Sequence, residues 1–368
     1  MAGETISKPG RVAVGLSGGV DSTVTAWLLK RQGWDVVGLT MAIWDGSVPL
    51  PESTRSGCFG PGEARDLEAA REAAARIGIP HHTISLAEDY NRDVLDYFRR
   101  EYRDGRTPNP CVVCNQRLKF GLLLERARTL GIPFDRFATG HYARIQADSP
   151  AGPYHLLRGV DVQKDQSYFL SRLTQAQLSA TLFPLGGLKK AEVQQLAREA
   201  GFAEYADKPE SQDFIECDTY EPLFGPDDFK PGPIEDTQGR RLGEHRGLIH
   251  YTVGQRKGLG IASSERLYVK ELRPQTATVV LGSHEELKLG FCRVGSVNWI
   301  SGEAPPEGGR CRVRLRYRHA GAEATLRREG AEWRADFDEM QFAVAPGQAA
   351  VFYDGDEVLG GGWIKGAA

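Results

Sequence analysis

The sequence predicts an α/β protein: a parallel-sheet domain, then a small central domain, then a C-terminal antiparallel β-barrel. Three observations carry this reading. Strand-like apolar runs alternate with helix-like runs from Arg11 to about residue 196, the pattern of parallel strands joined by crossover helices. The text turns Gly- and Pro-rich between about residues 220 and 283. From about His284 it becomes short alternating strands separated by Gly, Pro and Asp-Gly signals, which suits a small antiparallel barrel or sandwich. The expected domains are 1–218, 219–283 and 284–368.

The elements follow in order. RVAVGL, a buried-strand run, precedes the helix-like DSTVTAWLLKRQG, and DVVGLTMAIW precedes EARDLEAAREAAARIGI. HHTISL leads to YNRDVLDYFRREYRDG; FDRFATGHYARI reads as strand and turn, and KKAEVQQLAREAG as a helix ending at Gly201. RLYVKEL and TATVVLG are short strands of the central part. CRVRLRYRH, EATLRREG, EWRADFD and QAAVFYDGDEVLGGGWI supply the strands of the last part. A chain of 368 residues is too long for one small core, so two or three domains are expected. With no apolar run near 18 residues and no basic-then-apolar N-terminus, no membrane segment or signal peptide is expected, and the protein reads as cytoplasmic. Six cysteines in such a chain make no disulfide scaffold and are thiols, metal ligands or catalysts. The net charge of −3 argues against a uniformly basic surface but permits a local patch for nucleic acid.

The turn between the first strand and helix, Gly15-Leu16-Ser17-Gly18-Gly19-Val20-Asp21-Ser22, is rich in features that hold phosphate. It exposes backbone N–H groups, and the following helix adds a partial positive charge. Gly18 and Gly19 permit close backbone approach, while Ser17 and Ser22 offer hydroxyls. Asp21 is placed either to cap the helix or to face a metal ion through water. No Lys precedes Ser22, so this is not a Walker loop, and it does not match GxGxxG.

SGGVDS resembles the pyrophosphate loop of the N-type ATP pyrophosphatases, which transfer AMP. Five further strings narrow the resemblance: TPNPCVVCN, ATGHYARI, KDQSYFL, HYTVGQRKGLGI and the ending GQAAVFYDGDEVLGGGWI. Together, in order and across nearly the whole chain, they resemble the tRNA-specific 2-thiouridylases. The resemblance implies exchange of the C2 oxygen of the wobble uridine, U34, for sulfur. ATP adenylates the poor leaving group, and the loop holds the β- and γ-phosphates as departing pyrophosphate, with Mg2+ neutralising charge. It further implies that Met41 and Gly140 contact ATP. Implied partners are tRNA, among the Glu, Gln and Lys isoacceptors, and a sulfur donor system (a cysteine desulfurase or sulfur relay protein).

For sulfur transfer the resemblance implies Cys114 as nucleophile and Cys217 as persulfide carrier, the two closing a disulfide as product leaves. NPCVVCNQRLKF runs from a Pro-rich loop into a helix-like segment. That suggests a helix N-terminus that lowers the Cys114 pKa, with Arg117 and Lys119 near in sequence. Two departures from the family pattern stand out. Cys111 replaces an Asp carried by many relatives, and Ile215 occupies the spot where many place the second cysteine. Cys111, Cys114 and Cys217 are therefore also an alternative ligand set for a [4Fe–4S] cluster with one open iron. Cys58, Cys292 and Cys311 read by default as buried small hydrophobes, Cys58 least so because it sits in a loop of the catalytic half.

The resemblance implies RNA contacts at His141, Asp165, Gln166, Ser167, Gln255, Arg256, Arg316, Tyr317 and Gln348, with 219–283 as a central tRNA-binding domain. Arg310, Arg312, Arg314, Arg316 and Arg318 alternate, so a strand would place them on one face, roughly 7 Å apart, with Cys311, Val313, Leu315 and Tyr317 inward. The competing reading is a solvated barrel face with carboxylate partners such as Glu323 or Asp336. For Asp165 to Ser167 it is a helix cap, and for His141 a satisfied polar residue in a turn.

Overall fold

The computed structural model describes residues 10–51, 55–149, 152–206 and 213–366. They form two compact units: residues 1–90 with 114–218, and 91–113 with 219–368.

The first unit is built on a five-stranded parallel sheet in the order β4-β2-β1-β5-β8. Its strands are β1 (Arg11–Gly15), β2 (Asp35–Ala42), β4 (His81–Ser85), β5 (Arg136–Ala138) and β8 (Thr181–Leu182), with β3 (Gly57–Phe59) outside the sheet. Val12, Ala13 and Val14 have no exposed surface, as expected of a central strand covered on both faces. Helix α1 (Val20–Arg31) packs Ala26 and Leu29 with those strands, while its Val20 and Val24 join Val193, Ala197 and Tyr205. Helix α2 (Glu63–Ile77) ends at Gly78 in the left-handed conformation. The Lys190–Glu199 helix stops two residues before Gly201, which has φ +82°.

Chain order matters more than composition here. From β1 the chain winds to β2 and β4 on one side, then returns to add β5 and β8 on the other. The winding reverses between β1 and β5, and the crevice beyond the carboxyl ends of strands at such a reversal is where open α/β sheets bind ligands. A hairpin of β6 (Ala143–Ala147) and β7 (Tyr154–Arg158) follows β5. Next to the sheet, β3 pairs in parallel with β9 (Asp213–Ile215), Gly57 opposite Asp213 and Phe59 opposite Ile215.

The second unit holds two β assemblies. A four-stranded sheet in the order β11-β10-β13-β12 comprises β10 (Gly232–Asp236), β11 (Arg241–His245), β12 (Tyr268–Arg273) and β13 (Thr278–Gly282). The last six strands, β14 (Lys288–Trp299), β15 (Arg310–Arg314), β16 (Ala322–Glu329), β17 (Glu332–Phe342), β18 (Ala349–Asp354) and β19 (Glu357–Gly366), run antiparallel and close through β14–β19. The choice between barrel and sandwich thus falls to the barrel. Cys292, Cys311, Val313, Ala324, Leu326 and Phe352 fill its interior.

The arginine stripe is shorter than its alternation suggests. β15 ends at Arg314 and the chain turns through Arg316, whose carbonyl accepts from His319 N at 3.0 Å. Arg310 forks onto Asp338 at 2.7 and 2.5 Å, and Arg312 pairs with Glu323 at 2.7 Å. Asp336 instead takes Arg327 and Arg334. Cross-strand ion pairs therefore neutralise Arg310 and Arg312, while Arg314 donates to the His319 carbonyl at 3.1 Å.

Trp299 stacks on Phe352 with ring centroids 5.3 Å apart and meets Trp333 edge-on. Phe352 has no exposed surface, so Phe352→Ala is expected to cost about 3–5 kcal/mol. The loss will register as an earlier tryptophan-fluorescence transition in urea; an unchanged midpoint would show that the barrel core does not depend on this ring.

Candidate active site

The crevice beyond β1 and β5 is a cleft of about 350 Å3 within the first unit. Gly15, Leu16, Ser17, Gly19, Val20, Asp21 and Ser22 line it, with Met41, Gly140, His141 and Gln166. Eleven positions expected on ATP or RNA are thus brought together. Gly18 lies within the same turn at φ +69°, and a Cβ there would meet the Asp66 carbonyl oxygen at 2.5 Å. Both the dihedral and the close approach require glycine. Gly140 is required for space alone: its Cβ would come within 2.8 Å of the Asp21 backbone.

The loop is fixed by its own hydroxyls. Ser17 N donates to Ser22 Oγ at 3.1 Å, and Ser22 Oγ donates to the Gly19 carbonyl at 3.1 Å. From β2, Thr40 Oγ1 donates to the Leu16 carbonyl at 2.8 Å and lies 2.7 Å from His81 Nε2. Gly19 is the N-cap of α1 and gives no side-chain cap, so the first-turn amides of the helix face the cleft side.

Asp21 does not cap the helix. Its carboxylate receives Lys190 Nζ at 2.8 Å on each oxygen, and Tyr142 OH at 2.8 Å. The short Asp side chain in the first turn projects toward the Lys190–Glu199 helix instead of back over its own amides. Neither Lys190 nor Tyr142 was expected from the sequence. KKAEV carried only a helix signal, and no local spacing links position 190 to position 21.

Cys114 also departs from expectation. The helical segment starts at Pro110, so Cys114 falls beyond its first four residues, at the start of a wide i→i+5 stretch, Cys114–Leu122. The dipole contribution fades within the first turn. Loss of water contact dominates and pushes the Cys114 thiol up to about 11, against the lowering effect of the Lys119 ammonium. Wide-turn winding is what places Lys119 to act: in an α-helix a residue five positions on points roughly 140° away, whereas i→i+5 bonding returns it over the same column. Lys119 lines the cleft, as does Cys58 on β3. Cys114 and Cys217 are not among the lining residues, and Cys217 is only 4% exposed. Cys58, Cys114, Cys217, Cys292 and Cys311 are free thiols.

The iron–sulfur alternative meets an obstacle in the donor set. Among the described residues, no three His, Cys, Asp or Glu side chains gather in a way that could hold a metal ion.

His141 Nδ1 lies 2.7 Å from Thr139 Oγ1, its ring packs near Phe120 and Phe183, and burial holds its pKa well below the ordinary range. It is a neutral imidazole at the cleft wall. Gln166 bonds both ways with the Tyr142 backbone. Asp165 and Ser167, expected on RNA, are buried in this structure. They are 2% and 0% exposed, and Asp165 accepts from Gly159 N and Ser167 N. Asp165 thus satisfies amides that burial would otherwise leave unpaired, although the N-cap of the short Ser167–Leu170 helix is Gln166, which makes no side-chain cap bond.

The remaining expected RNA positions lie in the second unit. The Gln255 amide is spent on its own loop, accepting from Thr252 N at 3.0 Å and donating to the Lys257 carbonyl at 3.1 Å, while Arg256 beside it is exposed. Gln348 is likewise committed: it donates to the Pro108 carbonyl at 2.9 Å and accepts from Asn109 Nδ2 at 3.4 Å. In the chain alone, both side chains hold loops. Arg316 is exposed, and the end of β15 releases half-buried Tyr317 from the strand alternation that would have turned it inward. Cys111 also belongs to the second unit.

Among the described residues no helix is long and apolar enough to cross a membrane. Residues 10–217 match the family model described as a tRNA methyl transferase HUP domain. Residues 227–283 match a tRNA methyl transferase PRC-barrel domain, and residues 290–364 an aminomethyltransferase beta-barrel domain. The tRNA-specific 2-thiouridylase MnmA of Carboxydothermus hydrogenoformans is 43% identical over 361 residues, covering 96% of this chain and 97% of that protein. The protein of the same description from Moorella thermoacetica is 44% identical, covering 96% and 99%. The matches in the relatives and the three consecutive domain models agree from end to end, and the chain belongs to the tRNA-specific 2-thiouridylase family.

Proposed function

We propose that this chain is a tRNA-uridine 2-sulfurtransferase that converts the wobble uridine of tRNA to 2-thiouridine with consumption of ATP. The observation that carries this reading is the phosphate-ready loop Gly15–Ser22 lining one cleft with Met41, Gly140, His141 and a cysteine, in a member of this family. ATP adenylates the C2 oxygen, sulfur then displaces AMP, and pyrophosphate departs. The loop's amides and hydroxyls stabilise the charge that develops on the leaving diphosphate. Magnesium keeps much of its water and binds through substrate phosphates with few carboxylates. This suits a cleft whose loop carboxylate, Asp21, is already held by Lys190 and Tyr142.

For the sulfur step the reading is a cysteine relay. A persulfide attacks the activated carbon and AMP leaves; a second thiolate then breaks the S–S bond, releasing 2-thiouridine and leaving a disulfide. Cys114 is the nucleophile, and family resemblance assigns the persulfide to Cys217. The tRNA substrates in this reading are the Glu, Gln and Lys isoacceptors. A cysteine desulfurase or sulfur relay protein supplies the sulfur. Exposed Arg256 and Arg316 are candidates for the phosphate backbone, since each phosphate contact is an electrostatic gain independent of sequence.

With unmodified tRNA and a sulfane sulfur source, ATP is expected to yield AMP and pyrophosphate, one AMP per 2-thiouridine. Release of ADP, or AMP formation indifferent to RNA, would refute the assignment. Cys114→Ser should abolish thiolation while leaving RNA-dependent pyrophosphate release.

Lys190→Met removes a charge-assisted bond worth about 1.5–3 kcal/mol. If the Asp21 position matters mainly to nucleotide handling, kcat/KM for ATP should fall about 10–100-fold, with little change in tRNA affinity measured by filter binding. An unaltered kcat/KM would demote the ion pair to a structural tie.

Because the resting Cys114 thiol is pushed up to about 11, its thiolate fraction rises about tenfold per pH unit below that value. Iodoacetamide labelling of Cys114, followed by peptide mass spectrometry, should accelerate through pH 9 without levelling. Lys119→Met should slow labelling at pH 8, because the opposing charge is gone. A plateau below pH 8 would contradict the burial argument.

A further inference from the structure

Strand parity around β3 and β9 separates the cysteines of the first unit into two environments. Phe59 and Ile215 are register partners and both have 0% exposure, so they share the inward face of the pair. Cys58, one residue from Phe59, points the other way, is exposed, and lines the cleft with the Gly15–Ser22 loop. Ile215 stands where many relatives carry their second cysteine, and it faces inward. Cys217 lies just beyond β9, where Glu216 N still donates to the Phe59 carbonyl at 2.9 Å, and it is 4% exposed. Cys58, by contrast, is close enough to Cys114 for a Cys58 thiolate to disfavour ionisation of Cys114; loss of water contact raises both thiols, and the Lys119 ammonium opposes that rise in each. Of these two thiols, Cys58 stands at the wall of the nucleotide cleft and is the more exposed, while Cys114 is half-buried. A thiol takes sulfur from a donor only where the donor can reach it.

We propose that Cys58 carries the persulfide for the sulfur transfer, in the role that resemblance gives to Cys217, and that Cys114 is its resolving partner. This rests on the 2-thiolation reading above. A sulfane-sulfur donor transfers its terminal sulfur to the Cys58 thiolate, forming Sγ–S− and releasing the donor as a thiol. The terminal sulfur attacks C2 of the adenylated uridine, and the C2–O bond breaks with its electron pair leaving on AMP. The Cys114 thiolate, its proton passing to solvent, attacks Sγ of Cys58. The S–S bond to the base breaks, its electron pair stays on the base sulfur as 2-thiouridine, and a Cys58–Cys114 disulfide forms. An external dithiol reduces that disulfide and becomes oxidised in its place.

The test is one turnover without reductant. The full-length chain is preloaded with inorganic polysulfide, desalted, and mixed with ATP and an unmodified tRNA-Glu transcript. Peptide mapping under non-reducing conditions should find the persulfide on Cys58 before turnover and a Cys58–Cys114 bridge after it. Cys58→Ser should lose single-turnover thiolation by at least a hundredfold while keeping RNA-dependent pyrophosphate release, which also reports that the variant is folded. A Cys114–Cys217 bridge in the parent protein, or thiolation by Cys58→Ser within threefold of it, overturns the proposal and leaves 2-thiolation standing. Absence of both thiolation and RNA-dependent pyrophosphate release in the parent overturns the underlying reading, and the proposal with it.

Discussion

The contact between Asp21 and Lys190 holds the working end of the first unit together. A carboxylate in the first turn of α1 meets an ammonium from a helix far along the chain, at 2.8 Å on both oxygens, with a tyrosine hydroxyl completing the set. Lys190 N also donates to Asp161 at 2.9 Å. Lys190 therefore fastens the phosphate loop, through Asp21, to the chain that follows the β6–β7 hairpin. Flexible glycines make the loop able to cradle an anion but give it no reason to keep one shape. That reason comes from this charge pair and from the Ser17, Ser22 and Thr40 bonds.

Burial has different uses at the phosphate loop and at Cys114. At the loop it covers Leu16, Val20 and Ser22 while Ser17 stays exposed. At Cys114 it keeps the thiol protonated, so a cysteine that must act as a nucleophile stays quiet toward stray oxidants in the resting protein. His141 is treated similarly: withdrawn from water, it remains neutral and able to donate or accept a single hydrogen bond without adding charge beside the base.

The fold was largely legible because its signals are periodic or punctuated. Val12 to Val14 announce a central strand, SGGVDS a glycine turn before a helix, and Asp354-Gly355 a hairpin between two strands of the barrel. The sequence was less informative wherever a side chain had two possible partners. Asp165 offered itself equally as a cap and as a surface polar group, and it is instead a buried acceptor for two backbone amides. Gln348 and Gln255 advertised free amides, yet Gln255 bonds within its own loop and Gln348 bonds to Pro108 and Asn109, which a linear text cannot place nearby. The arginine alternation persisted four residues past the last strand residue, because a turn can carry the same letters as a strand. Cys58 was hidden by the shortness of β3: three residues hold no periodicity from which to read a face.

The wide helical stretch from Cys114 to Leu122 carries a consequence for how this site tolerates change. Its geometry stores one extra residue per turn relative to an ordinary helix. Replacement of side chains along it leaves that phase intact, but removal of a single residue would let the segment relax to ordinary winding and swing everything upstream around the axis. The alignment of sulfur with ammonium is thus guarded by length more than by identity. Insertions and deletions, not point changes, are the events this part of the protein is least able to absorb.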